Sequence, residues 1–285
     1  MKNLYIIGVG LIGGSFAKAA RASFANLRII GIDSNPEHLK KAEEIGIIDH
    51  QGGLNDLSNA EVVFIAIPVD ATVKLLPEIL DAISDDTLVI DAGSTKESIC
   101  MVIKNHQRRR NFLAAHPIAG TEFSGPEAAN SDLYQGKTNI ICEVEATAFK
   151  LQEKALDLFS RIGMRIRYMN PKAHDKHIAY VSHLSHISSF MLGKTLMEKE
   201  KNERDIFDMA GSGFESTVRL AKSSPEMWTP IFKQNKENIL ETLEEYIANL
   251  TRFKQFMEND EFEQVYQEMT GTNRIGKILN GIQIN

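Results

Sequence analysis

Residues 4–15 (LYIIGVGLIGGS) constrain this chain more than any other stretch. A short β-rich run passes directly into Gly8-x-Gly10-x-x-Gly13 and then into an Ala-rich helical segment, residues 15–22. Strand, glycine turn and helix in that order form the context a dinucleotide-binding turn requires. Gly8 permits the tight turn, Gly10 lets the backbone approach a pyrophosphate, and Gly13 lets the helix pack on the strand. The phosphates then lie at the positive N-terminal end of the helix. A second apolar run, residues 28–33, ends in Asp33, about 20 residues past Gly13, where a carboxylate accepts hydrogen bonds from both ribose hydroxyls. It also repels a 2′-phosphate, and Ser34-Asn35-Pro36-Glu37 contains no Arg to hold one, so NAD is expected over NADP. Lys2, the apolar run and Ala17-Lys18-Ala19 imitate a secretory leader, but a leader has no use for three spaced glycines or Asp33. The start is therefore read as part of the folded protein.

The chain has 285 residues, which suits two domains better than one core. A formal charge of −6 disfavours nucleic acid and anionic membranes as partners, and no apolar run is long enough to span a bilayer. The one basic cluster, Arg108-Arg109-Arg110, reads as a solvated helix end. Cys100 and Cys142 stand far apart with no ligand spacing, which points to no metal site, no disulfide framework and a cytoplasmic location.

Through the first half, short β-rich runs alternate with helical segments, the pattern of an α/β Rossmann-type domain with a doubly wound parallel sheet. Helices are expected over 36–45 (opened by Asn35, closed by Gly46), 73–83, 96–105 and 148–162 (ended by Gly163). Strands are expected over 62–67, 87–90, 112–115, 139–144 and 164–169. Beyond Pro171 the β pattern stops, which divides the chain into a nucleotide-binding domain, 1–168, and an all-α domain, 169–285. Leu240, Leu243, Ile247, Leu250, Phe253 and Met257 form a helical stripe that serves either an internal core or a second subunit. The Gly- and Asn-rich tail, 270–285, is expected to be partly mobile.

Ligands of open α/β sheets bind beyond the carboxyl ends of the strands. Three such ends carry chemistry: Pro68 to Asp70, Asp91 to Lys96 with Ser94, and His116 to Glu122. His116 is suited to accept a proton from a hydroxyl as hydride departs, because an imidazole titrates near cellular pH. His174, His177, His183 and His186 cluster on helical spacing. His183-Leu184-Ser185-His186 lacks the i, i+4 spacing and adjacent Glu of a zinc hydrolase, so one pair is expected to pack and the other to line a polar pocket.

Five motifs in order, GVGLIGGS (8–15), DAGSTK (91–96), HPIAGTE (116–122), VSHLSH (181–186) and RLAKSSP (219–225), resemble the prephenate and arogenate dehydrogenases of tyrosine biosynthesis. The resemblance implies NAD-dependent oxidative decarboxylation of prephenate by a cytoplasmic homodimer joined through its helical domain. It implies catalytic roles for His116, which takes the ring hydroxyl's proton, and Ser94, which positions that hydroxyl. Arg219 would hold a substrate carboxylate, with His183, His186, Thr121 and Glu122 completing the substrate pocket. The cofactor-binding set is Gly8, Gly10, Leu11, Ile12, Gly13, Asp33 and Pro68. Glu122 near the substrate side chain would favour the ammonium of arogenate unless it is turned away or acts as a gate, so arogenate stays open as the substrate. Two rivals are a hydroxyacid dehydrogenase relying on a Lys such as Lys194, and a non-catalytic NAD-sensing dimer, which would need neither His116 nor Arg219.

Overall fold

The structure, a computed structural model, describes residues 1–201 and 205–284. Eight strands form one sheet: β1 (Asn3–Ile7), β2 (Arg28–Ile32), β3 (His50–Gln51), β4 (Val62–Ile65), β5 (Leu88–Asp91), β6 (Phe112–Pro117), β7 (Thr138–Cys142) and β8 (Arg165–Met169). Their order is β3-β2-β1-β4-β5-β6-β7-β8, so the chain reverses direction of travel between β1 and β4, the crevice where this topology binds nucleotides. Runs such as VVFI in β4 are apolar at every position because both faces are covered. On one face, Leu4, Ile6, Phe64 and Leu113 pack with Phe16 of α1 (Leu11–Ser23). On the other, Ile7, Val63, Ile65 and Val89 meet Leu76, Ile79 and Leu80. The helices on these faces include α2 (Pro36–Glu44), α3 (Val69–Ala82), α4 (Glu97–Val102) and α5 (Phe149–Ile162). Asn35 caps α2 by accepting from Glu37 N at 2.9 Å, and Gly163 ends α5 at φ +85, as the sequence predicts.

Two expectations need correction. The sheet is not wholly parallel, because β7 runs antiparallel to β6. No α-helix crosses between them, and the connecting segment leaves and returns at the same sheet end, where Ile118 N donates to Thr138 O at 2.8 Å. Arg109 is buried and not a solvated helix end. It donates to Phe112 O and to the Glu143 carboxylate, each at 2.9 Å, and a cation is tolerated there because both contacts are charge-assisted or backbone hydrogen bonds. The tail contains a helix, α12 (Arg274–Ile284), whose apolar residues recur at helical spacing.

Past β8 come α6 (Pro171–Ile178), a π-helical turn (Ala179–His183), α7 (Leu184–Glu200), α8 (Ser212–Val218), α9 (Pro225–Gln234), α10 (Lys236–Glu258) and α11 (Phe262–Thr272). Two compact units divide the chain, Met1–Lys236 and Glu237–Asn285. The first extends past the sheet because α6 and α9 pack back onto it. Asp175 of α6 accepts from the Lys96 and Glu97 backbone N–H groups, and Trp228 and Ile231 of α9 cluster with Val69 at the start of α3. In the second unit, Leu240, Ile247, Leu250 and Met257 of the predicted stripe are exposed, as are Phe262, Tyr266, Met269, Ile275 and Ile278. Among the described residues no helix is long and apolar enough to cross a membrane.

Candidate active site

The glycine turn has little freedom to vary. Gly8 sits at φ +93, and a Cβ there would lie 2.3 Å from Ala66 O. A Cβ on Gly13 would lie 1.9 Å from Gly8 O, so α1 approaches β1 as closely as it does only because this residue is glycine. Gly10, by contrast, faces open space, its nearest neighbour being Gly125 N at 4.0 Å, and it caps α1 without a side chain. The first N–H groups of α1, at Leu11 and Ile12, thus have no side-chain cap and no partner within the helix. Asp33 accepts from Val9 N at 3.0 Å through Oδ2 and from Asn35 N at 2.9 Å through Oδ1, leaving lone pairs on both oxygens for a ribose diol. These residues fit a dinucleotide. Pro68, exposed, immediately precedes α3 on the far side of the crevice.

The loop after β5 is fastened by a buried ion pair that the sequence reading quoted only inside a motif. Lys96, fully buried, bonds the Asp91 carboxylate and donates to Ala115 O at 2.7 Å. Asp91 also accepts from Gly93 N at 3.0 Å and Ala115 N at 3.1 Å. Half-buried Ser94 is therefore carried on a loop tied to β6 one residue before His116.

His116, at the end of β6, is buried, with Nδ1 2.8 Å from His174 Nε2. His174 Nδ1 in turn lies 2.7 Å from Asp175 Oδ1. Burial holds His116 well below the usual histidine range, and the nearby Lys96 ammonium acts the same way, so the imidazole is neutral. Of the four clustered histidines, only His177 is exposed. His174 was not placed with His116 by sequence reasoning; its pairing with Asp175 in the next position was the available signal.

His183 and His186 come together against Trp228, the chain's one tryptophan, which sequence reasoning also missed. His186 stacks on the indole with centroids 3.5 Å apart and donates from Nδ1 to Ser182 O at 2.9 Å. His183 closes the π-helical turn, a feature frequent at functional sites, and burial pushes it down to about 4. Asn235 Nδ2 donates to Asp175 O at 2.7 Å and lies 3.1 Å from His183 Nδ1, so the ring proton of His183 resides on Nε2. That Nε2 and Trp228 Nε1 are buried donors with no partner among the described residues.

Glu122 and Arg219 meet each other: Arg219 Nη1 donates to Glu122 Oε2 at 2.9 Å. The Glu122 carboxyl lies below its usual range, chiefly through its own backbone N–H and then through Arg219. Arg219 is half exposed, with the rest of its donor fork available. The Thr121 hydroxyl accepts from Phe123 N at 3.3 Å, a turn contact on the same segment. Lys194, the candidate of the hydroxyacid rival, stands exposed on α7 and pairs with Glu198 at 3.3 Å. Among the described residues no group of three or more His, Cys, Asp or Glu is arranged to hold a metal.

The chain is similar to known proteins over nearly its whole length. A family model described as prephenate dehydrogenase, nucleotide-binding domain, matches residues 16–168, and one described as prephenate dehydrogenase, dimerization domain, matches 170–271. The prephenate dehydrogenase of Bacillus subtilis is 30% identical over 93% of this chain and 72% of its own length. The cyclohexadienyl dehydrogenase of Zymomonas mobilis is 28% identical over 89% of this chain and 87% of its own. Among solved structures, the A. aeolicus prephenate dehydrogenase in complex with hydroxyphenyl propionate and NAD+ superposes with a TM-score of 0.86 at 33% identity, covering 100% of this chain and 99% of that one. The chain belongs to the prephenate dehydrogenase family.

Proposed function

We propose that the protein catalyses the NAD-dependent oxidative decarboxylation of prephenate to 4-hydroxyphenylpyruvate in tyrosine biosynthesis. The observation that carries this reading is the buried, neutral His116 at the carboxyl end of β6, beside the Asp91–Lys96 loop and at the same end of the sheet as the glycine turn. When bound, NAD supplies the acceptor for the hydride that leaves ring carbon C4. His116 takes the proton of the ring hydroxyl as C4 becomes electron-poor, and Ser94 positions that hydroxyl. The bond to the ring carboxylate breaks, its electron pair enters the ring, and carbon dioxide departs. His116 returns the proton to the phenolic oxygen, so the reaction releases no net proton. Arg219 holds a substrate carboxylate through its remaining donors, with Thr121 beside it on the Glu122 segment. His183, through Nε2–H, and His186, backed by Trp228, bind the substrate's polar groups and exclude water.

Arogenate is the second reading, favoured by the ionised Glu122, which could hold an ammonium. Prephenate ranks first because that carboxylate is already engaged by Arg219. An NAD sensor would need neither a buried neutral His116 nor donors left open at His183 and Trp228. We further propose that residues 1–168 bind the nucleotide, that 169–285 bind substrate and join two subunits, and that the homodimer works in the cytoplasm. The exposed apolar residues of α10, α11 and α12 support that assembly. The test supplies NAD with prephenate and, separately, arogenate to purified protein while following NADH and carbon dioxide. Equal yields of both products from prephenate are expected. NAD binding without turnover of either substrate would overturn the assignment.

A further inference from the structure

We propose that His174, anchored by Asp175, is a positioning residue that fixes His116 as the Nδ1–H tautomer and so makes Nε2 the nitrogen that accepts the proton. The inference follows from counting hydrogens along one buried chain of contacts.

Asp175 Oδ1 accepts from Lys96 N at 2.7 Å and Oδ2 accepts from Glu97 N at 2.9 Å. Both oxygens are therefore acceptors, and the ionised carboxylate satisfies its surroundings. The 2.7 Å contact from His174 Nδ1 to Asp175 Oδ1 needs a hydrogen, which the ring nitrogen must bring. With His174 neutral in the proposed arrangement, its Nε2 has only a lone pair. The 2.8 Å contact from that Nε2 to His116 Nδ1 again needs one hydrogen, and it can come only from His116. His116 thus carries its proton on Nδ1, leaving Nε2 basic. Free histidine in water prefers the opposite tautomer, so the arrangement has to be imposed by the fold.

The supports are buried and hydrogen-bonded. His174 and Asp175 are buried on α6, and Asn235 fastens the same turn by donating to Asp175 O at 2.7 Å. The Lys96 ammonium, locked against Asp91 and Ala115 O, disfavours positive charge on the His116 ring, in line with its neutral state. When Nε2 of His116 receives the substrate proton, the Nδ1–H to His174 contact becomes charge-assisted. The positive charge is then stabilised toward the Asp175 carboxylate without a second proton transfer. The role of His174 in turnover rests on the reading of His116 as the base; the tautomer does not.

The test is a long-range proton–nitrogen spectrum of the full-length protein labelled with 15N-histidine, with His116 assigned by comparison with His116→Asn. The expected signature is a pyrrole-type Nδ1 and a pyridine-type Nε2 for His116. His174→Phe should erase that preference and lower kcat roughly a hundredfold, the scale of general acid–base catalysis, with KM values for NAD and prephenate changed by less than about threefold. His174→Gln, whose amide oxygen can accept from His116 Nδ1–H, should recover about tenfold of the loss. A wild-type spectrum with the proton on His116 Nε2 would overturn the proposal, as would unchanged kcat in a folded His174→Phe. Should that variant not fold, the wild-type spectrum and His174→Gln decide the matter. Absence of turnover with the predicted tautomer intact would count against the prephenate assignment alone.

Discussion

Replacing Lys96 by Met tests whether the loop that carries Ser94 is held by electrostatics or merely by packing. The substitution keeps most of the side-chain volume and deletes the ammonium, leaving the Asp91 carboxylate fully buried without its cation. Removing one partner of a buried pair costs roughly 3–5 kcal/mol. Asp91 retains the Gly93 and Ala115 N–H bonds at 3.0 and 3.1 Å, while Ala115 O loses a 2.7 Å donor. The balance points to the low end, about 3 kcal/mol. Trp228 fluorescence reports on this unit, because the indole packs in it beside Val69. Urea unfolding followed at that wavelength, at one protomer concentration, gives the difference. Asp91→Asn and the double variant complete a cycle whose coupling should be about 2 kcal/mol. A loss below about 1 kcal/mol for Lys96→Met would refute the reasoning and mean that packing, and not the ammonium, holds the loop.

Gly13→Ala should weaken NAD binding at least about tenfold by calorimetry, because its Cβ would lie 1.9 Å from Gly8 O and force α1 away from β1. Glu122→Gln should shift the ratio of kcat/KM for prephenate over arogenate toward prephenate by about tenfold, and an unchanged ratio removes Glu122 from substrate selection. His183 titrates near 6.5 when unfolded and is pushed down to about 4 in the fold, so the unfolded chain binds more protons between those values. Its contribution to stability is complete above pH 6.5 and is lost as pH falls toward about 4, by up to about 1.4 kcal/mol per pH unit. Denaturation at pH 7 and pH 5 should show a smaller difference for His183→Phe than for the wild type.

Local signals made the nucleotide-binding half readable. Gly8, Gly13 and Asp33 act within one strand, turn and helix, and their glycines meet the contacts that their spacing predicts. The direction of β7 was not readable, because it depends on where a long connection returns to the sheet and not on any periodicity within the strand. Lys96 was hidden for a different reason: a lysine is almost always solvated, and only a carboxylate five residues earlier, folded back on it, allows complete burial. The relation of His174 to His116 spans 58 residues and depends on how α6 packs against the sheet. Trp228 was missed because nothing in the sequence around it points to a site, and its meaning came from the His183 and His186 rings packed against it. The roles of Arg219 and Glu122 were suggested by the motifs around them, whereas their mutual ion pair emerged from the fold.

The most direct test of the account is the kcat of His116→Asn at saturating NAD and prephenate, with NAD affinity measured on the same sample. A fall of roughly 10²–10⁴ with unchanged NAD affinity is predicted, since the variant loses the base but none of the nucleotide contacts. A kcat within about threefold of the wild type would contradict the account and move the base to another residue of the pocket.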